Sequence, residues 1–356
     1  MDFSFSEEQQ ALRDLAATVF ADQVTHERLA RLEAESATVF DRETWAALAQ
    51  AGLLGVVVPE DLGGAGLGLL ELMAVAEEQG RVCAPVPLVE TLVVGAMTIA
   101  EHASAERQAD LLPRIASGDL VVAGALEGTL EVDAGRVSGD AGIVGWIREA
   151  GLVIAVATGL DGVPAVVAFT PDAAGVSIED VVPTNRLPAG LVTLADVPAD
   201  VLATGDTAAD ALLQRAAAMT CAVAAGVCDG AIRMTAAYTS ERKQFDKRIA
   251  EFQAVAQRAA DAFIDTEMIT LTSRHAIYRL SQGLPAEKEI HVAKFWAGDG
   301  GMRVVHAAQH LHGGIGVDTD YPVHRFFLWA KRLEHTLGTP TRELIALGAQ
   351  LAAEPV

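Results

Sequence analysis

A mainly helical protein with a small β domain set in its middle is predicted by three features of the 356-residue sequence. Apolar residues recur at helical spacing before residue 120 and again after residue 206. Between these regions lie short β-branched or apolar runs punctuated by Gly, Pro and Asp, the pattern of a small antiparallel β domain. Beyond residue 206 the helical patterns make four long helices, which is a bundle. The expected division is an N-terminal helical domain over 1–120, a middle β domain over 121–205 and a C-terminal helical bundle over 206–356.

Ser6 followed three residues later by Gln9 predicts a capping-box helix start, and Leu12, Leu15, Ala16 and Phe20 give that helix an apolar face. A second helix is expected over Trp45–Ala51, ended by Gly52 and Gly55, and others over Leu69–Gly80, Leu88–Ala100 and Ala105–Ala116. The glycine-rich run Pro59–Gly66 lacks the strand–GxGxxG–helix order of a dinucleotide fold and the Lys-Ser/Thr of a P-loop, and reads as a tight turn. Strands are expected over Val121–Ala125, Leu152–Ala157, Pro164–Phe169, Val176–Val182 and Leu191–Asp196. The bundle is expected from an alanine-rich helix ending near Ala237, a helix from about Glu251 to Gln282, and patterns over Pro285–Leu311 and Glu334–Ala352.

Composition bounds the function. The formal net charge of −22 argues against nucleic acid or an anionic membrane as partner, since both require a basic footprint. Cys83, Cys221 and Cys228 show no metal spacing and cannot all pair; they read as small core residues in a reducing compartment. The N-terminus lacks a basic region followed by an apolar run, so no signal peptide is expected. The apolar run Ala216–Cys228 is shorter than the ~20 residues that span a bilayer. A soluble, cytoplasmic protein is the expectation.

Against that acidic background, residues 238–253 stand out. They form a corner between two long helical segments and carry Arg242, Lys243 and Arg248. Guanidinium binds phosphate through two parallel charged hydrogen bonds, so such a corner suits a phosphate group; charge alone fits a solvated basic turn as well. The wording Tyr238-x-x-x-Arg242-x-Gln244-Phe245-x-x-x-Ile249-x-x-Phe252-Gln253 resembles the signature of the acyl-CoA dehydrogenase family of flavoproteins. The resemblance implies that Arg242 and Phe245 grip the FAD of a neighbouring subunit, Arg242 at the pyrophosphate. The family usually has Gly after the Phe; here Asp246 puts a negative charge beside the proposed anion site.

The resemblance extends over essentially the whole chain. Trp45-x-x-Leu48-x-x-x-Gly52-Leu-x-Gly55 leading to Pro59-Glu-x-x-Gly63-Gly-x-Gly66 is similar to the family's N-terminal domain. His310-Leu-His312-Gly313-Gly314-Ile-Gly316, followed by Tyr321-Pro322-x-x-Arg325, resembles the family's Gln-x-x-Gly-Gly-x-Gly…Tyr-Pro-x-x-Arg motif, with His310 in the Gln position. Paired glycines at a helix end let backbone approach a ligand, though a plain helix cap has the same spacing. The cofactor contacts implied are Arg242, Phe245, Gln253, His310, Gly313, Gly314 and Thr339. No metal is expected: His306 and His310 lie one helical turn apart without a carboxylate or cysteine at fitting spacing, and no two Glu-x-x-His pairs occur for a di-iron site.

Other family positions are changed. Members carry a Thr-Glu-Pro…Gly-Ser-Asp segment that holds the flavin ring and the acyl-CoA; here Leu126-Glu-Gly-Thr-Leu-Glu-Val-Asp133 lacks it, and the β domain looks truncated. Where the family shows Gly-x-Lys-x-aromatic-Ile-Thr, Gly139 is followed by Asp140, Ala141, Gly142, Ile143, Val144 and Gly145, and Trp146 reads as a core residue. The family reaction needs a Glu to remove the proton beside the thioester carbonyl while hydride passes to flavin. One family position for that base holds Leu337, within Thr336-Leu337-Gly338-Thr339, and the other, 26 residues before Arg242, holds Ala216. Glu334 is three residues before Leu337, nearly a full helical turn away.

The combination resembles the subunit without an evident catalytic Glu in the heteromeric α2β2 acyl-CoA dehydrogenases of actinobacteria, which act on bulky steroid-derived or polyketide-like CoA thioesters. The partner subunit would supply the base, and an electron-transfer flavoprotein is the implied electron acceptor. Two alternatives stand beside this reading: a self-sufficient homo-oligomeric enzyme with an atypical base at Glu334 or Glu127, and a non-enzymatic CoA- or flavin-binding relative.

Overall fold

A computed structural model describes residues 5–353. Residues 1–4, the start of the N-terminus expected to hold no signal peptide, lie outside the described residues. In chain order the elements are α1 (Glu7–Gln23), α2 (His26–Glu35), α3 (Arg42–Gln50), α4 (Leu69–Val82), a π-helical turn (Val89–Met97) continued by α5 (Thr98–His102), and α6 (Ala105–Ala116). Eight strands follow: β1 (Val122–Ala125), β2 (Thr129–Asp133), β3 (Arg136–Gly145), β4 (Leu152–Gly159), β5 (Pro164–Phe169), β6 (Val176–Val181), β7 (Ala189–Pro198) and β8 (Asp200–Thr204). Then come α7 (Asp206–Glu241), the short strands β9 (Lys243–Gln244) and β10 (Lys247–Arg248), α8 (Gln253–Ser281), α9 (Glu287–Phe295), α10 (Gly301–His312), α11 (Val323–His335) and α12 (Pro340–Ala353).

The chain gathers into two compact units, one of Met1–Ala30, Met73–Ala84 and Ala217–Val356, the other of Arg31–Leu72 and Pro85–Ala216. In the second unit the eight-stranded sheet has the order β6-β7-β3-β2-β4-β5-β8, with β1 added on β4. Antiparallel pairs dominate, as expected; β4 also takes β1 and β2 in parallel, which makes the sheet mixed. Its inward face packs Leu130, Val132, Val137, Val153, Val167 and Val192. Trp146 is 1% exposed and sits edge-on to Phe40 at 5.4 Å, so it is the core residue its surroundings predict. The loop around Pro59–Gly66 is a tight turn, closed by Ala65 N–H to the Gly55 carbonyl and Leu67 N–H to the Val56 carbonyl.

In the first unit α1 starts as predicted: Gln9 N–H donates to Ser6 Oγ at 3.2 Å and Ser6 N–H to Gln9 Oε1 at 3.0 Å. The apolarity of α7 serves the core, with 83% of its most apolar window buried. Its small residues allow backbone contact with α4. A Cβ on Gly226 would lie 1.9 Å from the Glu77 carbonyl oxygen, and one on Gly80 would lie 2.1 Å from that of Val223. All three cysteines are buried, and none forms a disulfide among the described residues.

Two expected elements are corrected. The corner at 238–253 is not a bare turn between helices, because β9 and β10 pair as a two-residue hairpin within it. The helix expected over Glu334–Ala352 is two helices: Leu337 (φ 54°) and Gly338 (φ 115°) turn left-handed, and Pro340 opens α12 at the position where a missing N–H costs nothing.

Candidate functional site

The corner is built by the end of α7. Arg242 N–H still bonds the Tyr238 carbonyl at 2.9 Å, and the chain then leaves the helix. Lys247 pairs with Gln244 and Arg248 with Lys243, leaving Phe245 and Asp246 as the loop, with φ of 54° and 64°. Positive φ at both central residues is the type I′ hairpin turn. Asp246 stands where the family has Gly because the backbone there is left-handed, and Asp is among the few L-residues that tolerate that region. Phe245 is bulky, holds the same strained conformation and is 86% exposed, so its ring is presented outward as a flat apolar face. Phe252 stands edge-on to it at 6.3 Å, with Lys247 Nζ 4.9 Å from the Phe252 ring centre. Arg242, Lys243 and Arg248 are exposed, and their side chains make no salt bridge among the described residues, although the Arg248 backbone N–H donates to Glu251 Oε1 at 3.2 Å. In a chain of net charge −22 these unpaired cations form a local anion seat, tempered by Asp246. Gln253, the first residue of α8, is exposed beside it.

The second motif ends α10. Gly313 (φ 65°) closes the helix with its N–H on the His310 carbonyl, and a Cβ on Gly313 or Gly314 would meet nothing within 4 Å. The turn is thus open to an approaching ligand. His310 is exposed beside it.

One contact that sequence reasoning missed brings the two motifs together. His312, 3% exposed, stacks on Tyr238 with ring centres 4.6 Å apart, and Tyr321 leans on both. Tyr238 is one helical turn before Arg242, and His312 immediately precedes Gly313. The Tyr238–His312–Tyr321 cluster therefore joins the hairpin end of α7 to the Gly-Gly turn. His312 Nδ1 lies 2.7 Å from the Ala308 carbonyl and so carries the proton; Nε2 is buried and has no hydrogen-bond partner among the described residues. Burial holds the His312 pKa below its ordinary value. Arg325, at the end of the same motif, is anchored by Nη1 on His26 Nδ1 at 2.7 Å, while His26 Nε2 donates to the Asp320 carbonyl.

The base positions hold no carboxylate. Leu337 is half-buried in the α11–α12 turn, and Ala216 is 1% exposed within α7. Its neighbour Arg215 grips Glu101 through two hydrogen bonds of 2.5 and 2.7 Å. Glu334 is engaged by Lys331 Nζ at 2.7 Å and His335 Nε2 at 3.6 Å, and Glu127 is exposed after β1. Thr339 caps α12: its carbonyl accepts Glu343 N–H at 3.0 Å and its Oγ1 accepts Arg342 N–H at 3.4 Å. On the sheet, Ile143 and Leu191 are cross-strand partners, 51% and 38% exposed, in the segment where hydroxyl and aromatic groups were sought. His306 packs edge-on to Phe327, and among the described residues no three His, Cys, Asp or Glu group to hold a metal.

These residues fit a flavin dinucleotide in part. An unpaired guanidinium, an exposed aromatic ring and an unobstructed Gly-Gly turn suit its phosphates and flat groups. Leu337 and Ala216 are aliphatic and take no proton.

Comparison with known proteins shows the family. Residues 6–119 match the acyl-CoA dehydrogenase N-terminal domain and residues 204–351 the acyl-CoA dehydrogenase C-terminal domain. Acyl-CoA dehydrogenase FadE27 of Mycobacterium tuberculosis is 36% identical over 376 residues, covering all of both chains. Among solved structures, a chain of the Tcur3481-Tcur3483 steroid ACAD is 42% identical with a TM-score of 0.91, covering 97% of this chain and 98% of that one. A chain of the ChsE4-ChsE5 complex from Mycobacterium tuberculosis is 35% identical with a TM-score of 0.95, covering all of both. The chain therefore belongs to the acyl-CoA dehydrogenase family, the FAD-dependent oxidoreductases that act on CH–CH bonds.

Proposed function

We propose that this chain is the subunit of a heteromeric acyl-CoA dehydrogenase that completes a flavin site without supplying its base. The observation that carries the reading is a contrast: the Arg242 corner and the Gly313–Gly314 turn are intact and joined by stacked rings, while both base positions are aliphatic, Leu337 and Ala216. The ChsE4-ChsE5 complex supports it, having two differently named components and containing a chain similar to this one over its full length.

In this reading Arg242 forms paired charged hydrogen bonds to the pyrophosphate of FAD. Phe245 lies against a flat apolar part of the cofactor, and Gly313 and Gly314 let backbone amides approach it, with Gln253, His310 and Thr339 as polar contacts. FAD, when bound in the assembled enzyme, would supply the hydride acceptor, and a carboxylate of the second subunit would take the α-proton of the acyl thioester. Arg242 and the Gly-Gly turn orient; they move no proton. The substrate class is a CoA thioester with a bulky, steroid-like acyl group, supported by the steroid ACAD similar to this chain. Electrons pass to an electron-transfer flavoprotein. The 1–120 helices, 121–205 sheet and 206–356 bundle act as three domains, and the enzyme works in the cytoplasm.

The test is flavin content, measured on this chain alone and after co-expression with a second family member that carries a Glu at the base position. The expected result is no stoichiometric flavin alone and one flavin per pair, bleached by a steroid-side-chain acyl-CoA. A full flavin complement in the chain alone, bleached by acyl-CoA, would favour a self-sufficient enzyme. Absence of flavin under both conditions would point to a non-enzymatic relative.

A further inference from the structure

The turn that carries Leu337 and Thr339 is gripped by buried charge from two helices. Lys294, on α9, is 1% exposed and donates from Nζ to the carbonyls of Thr336 at 2.6 Å and Leu333 at 3.2 Å. These carbonyls end α11, where helical partners run out and the helix dipole favours a cation. One turn earlier on α9, His291 Nδ1 donates to Glu343 Oε2 at 2.6 Å. Glu343, on α12, is 7% exposed, and its Oε1 lies 2.0 Å from where a Cβ on Gly338 would stand. Thus α9 holds one end of the turn through Lys294, and through His291 it fixes the carboxylate that lies against the other.

Burying an ammonium and a carboxylate costs several kcal/mol apiece unless each is well partnered, so what they hold has to be accounted for. Cys221 does not account for it: burial foremost pushes its thiol up to about 12, so it stays protonated and is no ionic partner for Lys294. The turn itself is strained, with Leu337 at φ 54° and Gly338 at φ 115°. A non-glycine residue held left-handed persists only where its surroundings over-determine it. Lys294, His291 and Glu343 are those surroundings.

We propose that Lys294, His291 and Glu343 are positioning residues that hold the 336–339 turn in the conformation that presents Leu337 and Thr339 to the flavin and acyl site. The inference rests on the reading of that turn as part of the site. The clamp sets where Thr339 sits and keeps the aliphatic Leu337 at the position where other members carry their base. None of the three touches the reacting atoms.

The test uses the co-expressed heteromeric complex with Lys294→Met, Lys294→Arg and the isosteric Glu343→Gln. Amide hydrogen exchange over 336–339 reports the clamp, and FAD dissociation with the visible flavin spectrum reports the site. Losing a hydrogen bond from a charged donor is worth about tenfold or more. Lys294→Met is therefore expected to speed exchange at these amides by about tenfold relative to the rest of α11 and α12, and to weaken FAD by about as much. Glu343→Gln is expected to act in the same direction, and Lys294→Arg to restore part of both. Unchanged exchange at 336–339 in a folded variant overturns the clamp, as does acceleration spread evenly through the bundle. Faster exchange confined to the turn with unchanged FAD affinity and spectrum overturns the positioning role. A wild-type complex that holds no flavin sinks the proposed function instead, and leaves the exchange result to decide the clamp separately.

Discussion

Arg242 carries the most specific expectation at the scale of single residues. Its guanidinium has no carboxylate partner among the described residues, so replacing it leaves no buried charge stranded and leaves the fold untouched. Arg242→Ala is expected to weaken FAD in the complex by about 10- to 100-fold, the worth of one charged, bidentate contact, with the melting temperature of the flavin-free protein unchanged. Arg242→Lys keeps the charge and loses the fork, and should fall between. His312 gives a pH signature. Its folded pKa is lowered by burial, so the unfolded chain takes up a proton first as pH falls. Its contribution to stability is full above about 6.5, the ordinary His value, and declines as pH drops from there towards the lowered folded value. His312→Phe keeps a ring between Tyr238 and Tyr321 and removes the unpaired Nε2. Urea midpoints compared at pH 7.5 and 5.5 should show less acid loss in the variant than in the wild type.

Helix and strand contacts set a second scale. α4 and α7 touch backbone to backbone, with Gly226 against the Glu77 carbonyl. Gly226→Val has no flexible neighbour to push aside and is expected to lower stability by about 3 kcal/mol in urea unfolding, at the upper end for overpacking. Elements with local signals were legible in the sequence. Ser104 caps α6 and Pro164 opens β5, and both elements fall where periodicity predicts. In β2, Thr-Leu-Glu-Val-Asp alternates cleanly, but a five-residue run competes poorly with the turn residues around it and carries little signal. β3 was hidden by physics: bulges between Val137 and Gly139 and between Asp140 and Gly142 break its period, so no alternation survives to be read. The α11–α12 break had a signal in Pro340, which belongs in a first turn and not in a helix interior. The Arg242 and Gly-Gly motifs were legible as wording. Their junction through His312 and the clamp from Lys294 were not, because stacking and burial across residues far apart leave no spacing in one dimension.

For the whole molecule, the proposed function rests on the contrast between the exposed Arg242 corner and the aliphatic Leu337 and Ala216. A chain kept only as a scaffold has no use for an unpaired Arg242 beside an outward, strained Phe245. A chain that did its own chemistry would need an unengaged carboxylate near the 336–339 turn; there Glu334 is tied to Lys331 and Glu343 to His291. The two possibilities separate in one comparison on the assembled heteromer. Arg242→Ala is placed in this chain, and the base Glu→Gln in the second subunit, each against the wild-type pair. The first complex is expected to lose its flavin on gel filtration, and the second to keep its flavin but no longer bleach with acyl-CoA. A complex carrying Arg242→Ala that retains a full, bleachable flavin would contradict the proposed function.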